Sequence, residues 1–196
     1  MNNDEVIFFD NIAPHWDDDE ILSTPEKVRS ILNKLPIEEG DDILDLGTGT
    51  GILIPFLKER IGNQGSITAV DGSMGMLEIA IKKYGDLENV NFIFADFEST
   101  LLKSKYDIIM LYSVYPHLYY PEATLKELLN NLKPGGCIIV AFPTDENFIN
   151  NIHRERKADS DLLPSAIDLS ERFRSWGLQS EVIAATSDEY IIKIKG

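Results

Sequence analysis

Apolar residues along the chain alternate between two spacings. Short runs rich in Ile and Val at 42–46, 66–71, 91–95, 106–112 and 137–142 have the length and continuity of buried strands. Around them, segments 24–35, 51–61, 73–84, 121–132 and 165–176 carry apolar positions at helical period. This alternation predicts an α/β fold, a doubly wound, mostly parallel sheet with helices on both faces. Pro121 suits the first turn of its helix, and Pro134-Gly135-Gly136 is expected to stop that helix and turn the chain into the next strand.

The C-terminal end breaks the pattern. Two β-rich runs, 179–186 and 189–195, are separated by Ser187 and Asp188 alone, too few residues for a parallel crossover, and therefore predict an antiparallel hairpin. A length of 196 residues fits one domain spanning 1–196.

Composition narrows the partners. With 43% hydrophobic and 26% charged residues the chain can build a core, and its net charge of −15 argues against nucleic acid or an anionic membrane surface as partner. One cysteine, Cys137, and three scattered histidines supply neither a disulfide framework nor zinc-ligand spacing, so no metal is expected. Residues 1–10 are acidic and lack a signal-peptide apolar run, and no stretch approaches the roughly 18 apolar residues of a membrane span, so a cytoplasmic location is expected. An acidic run at 17–20 and a basic run at 153–157 read first as solvated faces.

The chemistry concentrates at Asp45-Leu46-Gly47-Thr48-Gly49-Thr50-Gly51, directly after a predicted strand and before an amphipathic helix. Glycines there allow a sharp turn and bring backbone N–H groups close to a ligand at a helix N-terminus. Asp45, two residues before the first glycine, would repel a pyrophosphate, and the order differs from the dinucleotide fingerprint G-x-G-x-x-G; the turn suits a ligand with an ammonium group instead. Asp71 ends the second strand, where a carboxylate can accept two ribose hydroxyls, and Asp96 follows the third, where one can accept from an adenine amino group. Singly, each acid is explained as a turn former or helix cap. Jointly, they describe a ligand with an ammonium, a ribose and an adenine, and no phosphate.

These motifs resemble those of the class I S-adenosylmethionine-dependent methyltransferases, from about residue 24 onward. The glycine turn is similar to their first motif, Val70-Asp71-Gly72-Ser73-Met74-Gly75-Met76-Leu77 to the second, and Ala95-Asp96-Phe97 to the third. The fourth strand, 106–113, and Leu132-Lys133-Pro134-Gly135-Gly136 continue the resemblance in order. It implies a Rossmann-like seven-stranded sheet whose last strand lies antiparallel between the fifth and sixth. It implies S-adenosyl-L-methionine as cofactor, with Gly47, Thr48, Gly49 and Gly51 on its methionine part and Tyr112 also in the binding set. Asp71 would hold the ribose, Asp96 and the Phe97 amide would read adenine, and Gly72 and Met76 would flank its ring. Residues 9–17 resemble an N-terminal segment that some members fold over the cofactor, which assigns 1–23 as a cover.

On the acceptor side, displacement at a sulfonium needs alignment above all, and a base only if the acceptor is still protonated. His117, after the fourth strand, has the titration range of a general base, and Tyr115 is a second candidate. The same segment departs from the Asn/Asp-Pro-Pro-Tyr/Phe pattern of methylases acting on nucleic-acid bases. His153 and Arg154, with Tyr115, are the expected acceptor contacts, since Arg pairs bidentately with carboxylate or phosphate. The sequence thus points to methyl transfer to a small, in this reading anionic, molecule on O, N or C. The alternatives are a non-catalytic cofactor-binding or regulatory subunit, or a nicotinamide-dependent oxidoreductase.

Overall fold

The computed structural model describes residues 3–18, 23–96, 98, 104–155 and 162–196. Seven strands form one sheet in the order β3-β2-β1-β4-β5-β7-β6. They are β1 (Asp42–Leu46), β2 (Ser66–Asp71), β3 (Val90–Phe94), β4 (Tyr106–Tyr112), β5 (Leu132–Phe142), β6 (Gln179–Ala185) and β7 (Tyr190–Lys195). β7 runs antiparallel to β5 and to β6, and the β1–β2, β1–β4, β2–β3 and β4–β5 pairs are parallel. The seven α-helices are α1 (Asn3–Ile12), α2 (Pro25–Leu32), α3 (Ile54–Ile61), α4 (Met74–Tyr84), α5 (Pro121–Leu129), α6 (Glu146–Glu155) and α7 (Ala166–Ser175) among the described residues. None of these is long and apolar enough to cross a membrane.

The period-two rule sorts the strand residues into two cores. Leu44, Leu46, Ile109, Leu111, Ile138, Val140, Ile192 and Ile194 pack with Leu125, Leu128, Leu169 and Phe173 of α5 and α7 on one face. Ile43, Ile108, Met110, Ile139, Ala141 and Ile191 pack with Val28, Ile31 and Leu57 of α2 and α3 on the other. Both faces of the central strands are therefore dry, which is why they read as continuous apolar runs.

Three expectations need correction. The glycine turn delays α3 to Ile54 rather than residue 51, because residues 47–53 are spent reversing the chain. β5 begins at Leu132, not 137: Leu132 pairs with Tyr106 and Cys137 with Ile108, so 133–136 form a bulge opposite Asp107, and Pro134-Gly135-Gly136 lies within the strand. Two helices were not expected, α1 and α6, although Val6, Phe9 and Ala13, and Ile149, Ile152 and His153, have helical spacing.

The N-terminal helix is tied down by polar groups. Asp10 Oδ1 accepts the Ser73 hydroxyl at 2.6 Å and the Gly75 N–H at 2.9 Å, satisfying donors at the start of α4. Any Cβ on Gly75 would stand 3.2–3.3 Å from Asp10 backbone and Ala13, so glycine is what lets the two helices approach. After the 3-10 turn Ala13–Asp18, Asp17 accepts from Thr50 Oγ1 at 2.7 Å and pairs with Lys83 at 2.5 Å. Replacing Asp10 by Ala removes a cap worth about 1 kcal/mol, so amide exchange across residues 5–16 should speed roughly fivefold while the sheet's protection is unchanged. Equal exchange in the variant would show that the docking of the helix does not depend on the Asp10 contacts.

Candidate cofactor and acceptor site

The carboxyl ends of β1 and β2 set the site, as expected for an open α/β sheet. After Leu46 the chain turns through Gly47 at φ 73°, where the Gly47 and Thr48 N–H groups donate to Val70 O at 2.8 and 3.0 Å. A side chain at Gly47 would place Cβ 2.4 Å from Val114 Cγ2, so this position needs glycine on both conformational and steric grounds. Asp71 Oδ2 accepts the Gly49 N–H at 2.7 Å and its Oδ1 accepts the Ser73 N–H at 2.8 Å. One carboxylate therefore fixes the glycine turn and the entry to α4 together.

Below the turn, Asp45 is 1% exposed and accepts the Thr48 hydroxyl at 2.6 Å. Burial pushes its carboxyl up to about 7, the Thr48 hydroxyl opposes this, and the neighbouring Asp71 charge adds to it. Burial also raises Asp71, with the backbone N–H donors of Ser73 and Gly49 pulling the other way and Asp10 adding to the rise. Two buried acids side by side make a floor that favours a cation and disfavours a phosphate. The Tyr112 phenol, at the end of β4, is pushed up to about 12 by burial, with the Ser23 hydroxyl at 3.2 Å opposing.

Above this floor lies a cavity of about 990 Å³. Gly47, Thr48, Gly49, Asp71, Met76, Tyr112, His117 and His153 all line it, together with Phe8, Phe9 and Trp16 from the N-terminal segment. Ligand pockets usually span roughly 300–1,000 Å³, so this one has room for a nucleoside-sized cofactor and a small second molecule. Among the described residues, Asp45, Gly51, Gly72 and Asp96 do not line it: Asp45 is buried and bonded to Thr48, Gly51 backs onto Tyr84, Gly72 is buried, and Asp96 is exposed and accepts the Glu98 N–H at 3.2 Å. Phe97 lies outside the described residues, as do 156 and 157 of the basic run.

Two acceptor-side expectations are not met by placement. Tyr115 turns into the core, its ring edge-on to Phe173 at 5.5 Å, with no hydrogen-bond partner for its hydroxyl among the described residues; burial raises the phenol, and Arg172 pulls it down. The cause is the 3-10 turn Tyr115–His117, which sends successive side chains in different directions. Arg154 is exposed and donates to Asn151 at 3.3 Å, because Ile149, Ile152 and His153 occupy the inward face of α6. Ile149, Ile152 and Lys83 were missed as lining residues. The amphipathic spacing in α6 carried the signal for the first two, whereas Lys83 is brought in by Asp17 from a distant segment.

The topology and this floor define an α/β cofactor-binding domain of the doubly wound class. Residues 43–136 match the family described as a methyltransferase domain. The chain is 34% identical over 110 residues to a malonyl-[acyl-carrier protein] O-methyltransferase of Marinomonas sp., covering 56% of this chain and 40% of the relative. It is 30% identical over 145 residues to a trans-aconitate 2-methyltransferase of Azoarcus sp., covering 72% and 55% respectively. It thus spans about half the length of these relatives. A solved S-adenosylmethionine-dependent methyltransferase from Aquifex aeolicus superposes with a TM-score of 0.73 over 100% of this chain and 98% of that one; at 19% identity this shows the fold. Residues 43–136 thus carry the methyltransferase-domain match, and the chain as a whole has the fold of the S-adenosylmethionine-dependent methyltransferases.

The floor makes a pH prediction. Asp45 has a folded-state value raised above its unfolded one, so its contribution to stability is full below its ordinary range and is lost as pH rises through about 7. The ligand-free protein should therefore lose melting temperature between about pH 5 and 7, where the carboxylates held low are already ionised, and Asp45→Asn should flatten that decline. An identical slope in both proteins would remove Asp45 as the titrating group.

Proposed function

We propose that this chain is an enzyme that binds S-adenosylmethionine in the cavity and transfers its methyl group to a small molecule with a largely apolar body. The observation that carries this reading is the pair of buried acids at adjacent strand ends, Asp45 and Asp71, beneath a glycine turn whose free space faces the cavity. Asp71 would hold the ribose hydroxyls. Asp45, through Thr48 and the turn, would favour the ammonium end, and Met76 would pack on the adenine. When bound, the cofactor supplies an electrophilic methyl and a good leaving group. The protein's task is then alignment and exclusion of water.

Phe9, His117, Ile149, Ile152 and His153 line the same cavity and would form its acceptor chamber. A non-catalytic cofactor binder needs no room beyond the cofactor's own, and a cavity of about 990 Å³ favours an enzyme. Lys83, the one Lys or Arg among the described lining residues, is already paired with Asp17, so recognition here rests on shape and imidazole chemistry rather than on a guanidinium clamp. The O-methyl transfer named for the Marinomonas relative supports an oxygen acceptor. The same acid floor repels a pyrophosphate and counts against a nicotinamide cofactor.

Calorimetric titration tests the reading. S-adenosylmethionine should bind and NAD should not, and Asp71→Ala should weaken binding roughly 5- to 150-fold, the equivalent of about 1–3 kcal/mol for a hydrogen bond to a charged group. Unchanged affinity in the variant would take Asp71 out of the site, and absence of binding to the wild type would overturn the function.

A further inference from the structure

His117 reaches across the cavity rim to the N-terminal helix. Its Nδ1 lies 2.9 Å from Glu5 Oε1, and the two side chains are equally sheltered, each 17% exposed. The Phe9 ring stands edge-on to the imidazole at 5.2 Å and 89°, and the His153 ring lies 5.4 Å away on the side of α6. Three elements therefore converge on one imidazole: α1 through Glu5 and Phe9, the turn after β4, and α6 through His153. Glu5 and His117 are 112 positions apart in sequence, so this pair exists only when the N-terminal helix is docked.

A carboxylate that accepts from one ring nitrogen decides which nitrogen carries the proton. With Glu5 at Nδ1, the hydrogen sits on Nδ1 and Nε2 is left with its lone pair. Among the described residues no hydrogen bond is made to Nε2, and the ring lines the cavity. That is the arrangement of an oriented general base, with a third group holding the base as the base meets its substrate.

Resting on the reading above, we propose that Glu5 is a positioning residue that holds His117 as a general base, and that the acceptor is a neutral molecule with an acidic O–H, a phenol or an enol. The balance is simple: the acceptor oxygen forms the new bond to the methyl carbon as the sulfur–methyl bond breaks, its electron pair staying on sulfur. The O–H proton passes to His117 Nε2. Glu5 then faces the resulting imidazolium and stabilises it. An acceptor that is already a carboxylate needs no such base, and the chamber offers it no unpaired Lys or Arg among the described residues.

The test is nitrogen-15 NMR of the histidine rings with S-adenosylhomocysteine present, at a pH where the rings are neutral. Saturation by S-adenosylhomocysteine is read first in the same samples, so loss of that binding would speak against the proposed function and not against the pair. In the wild type, His117 should show a single Nδ1–H tautomer. Glu5→Gln should lose that single-tautomer signature, because an amide can donate as well as accept, and Glu5→Ala should lose it too. Glu5→Asp should retain part of it. An Nε2–H tautomer in the wild type, or an unaltered spectrum in Glu5→Gln, overturns the proposal. Unchanged amide spectra over the sheet would confirm in each variant that the fold is intact.

Discussion

The Asp71 carboxylate is the constraint on which the rest of the site depends. Through one oxygen it holds the Gly49 N–H and through the other the Ser73 N–H, so the glycine turn and the start of α4 cannot move independently. Ser73 in turn donates its hydroxyl to Asp10, which brings the N-terminal helix against α4 and closes one wall of the cavity. From there the docked helix delivers Glu5 to His117 and Phe9 to the chamber. One buried acid thus links a strand end, a turn, a helix cap and a distant segment. Charge-assisted hydrogen bonds to backbone donors offset part of its desolvation.

The electrostatics of the floor explain why a ligand is needed to complete it. The Asp71 charge adds to the cost of ionising Asp45, and Asp45 is buried enough to stay largely protonated in weakly acidic solution. A cation nearby removes that penalty, and the same logic penalises a phosphate. The chain as a whole is strongly acidic, which reinforces the preference at longer range. Binding affinity and protonation of the floor are therefore linked by the same carboxyl groups.

Much of this was legible in the sequence because the central strands carry unambiguous signals. β1, β2 and β4 begin and end where their apolar runs do, since they are buried on both faces. β3 is offset by one residue, as suits an edge strand that is half exposed. The hairpin of β6 and β7 followed from the two residues between its runs. What could not be read were features that depend on pairing distant segments. The bulge in β5 is defined by its partner β4. The α6 helix was hidden because residues 153–157 carry the charge pattern of a solvated face, while Ile149, Ile152 and His153 give its inner face too few apolar positions to mark a helix by period alone. The strand-end rule brought Asp45, Gly47, Gly49 and Asp71 to one place, whereas it could not say that Tyr115 would turn into the core or that Glu5 would meet His117. Local rules find a cofactor floor; an acceptor wall is assembled from elements that sequence spacing does not connect.

A crystal structure with bound S-adenosylhomocysteine tests the central claim most directly. The expected result has the ribose on Asp71, the homocysteine ammonium end over the Gly47–Gly49 turn above Asp45, and the sulfur facing His117 across the chamber. A ligand bound in the reverse sense, or with its sulfur turned away from His117 and the Phe9 wall, would contradict it.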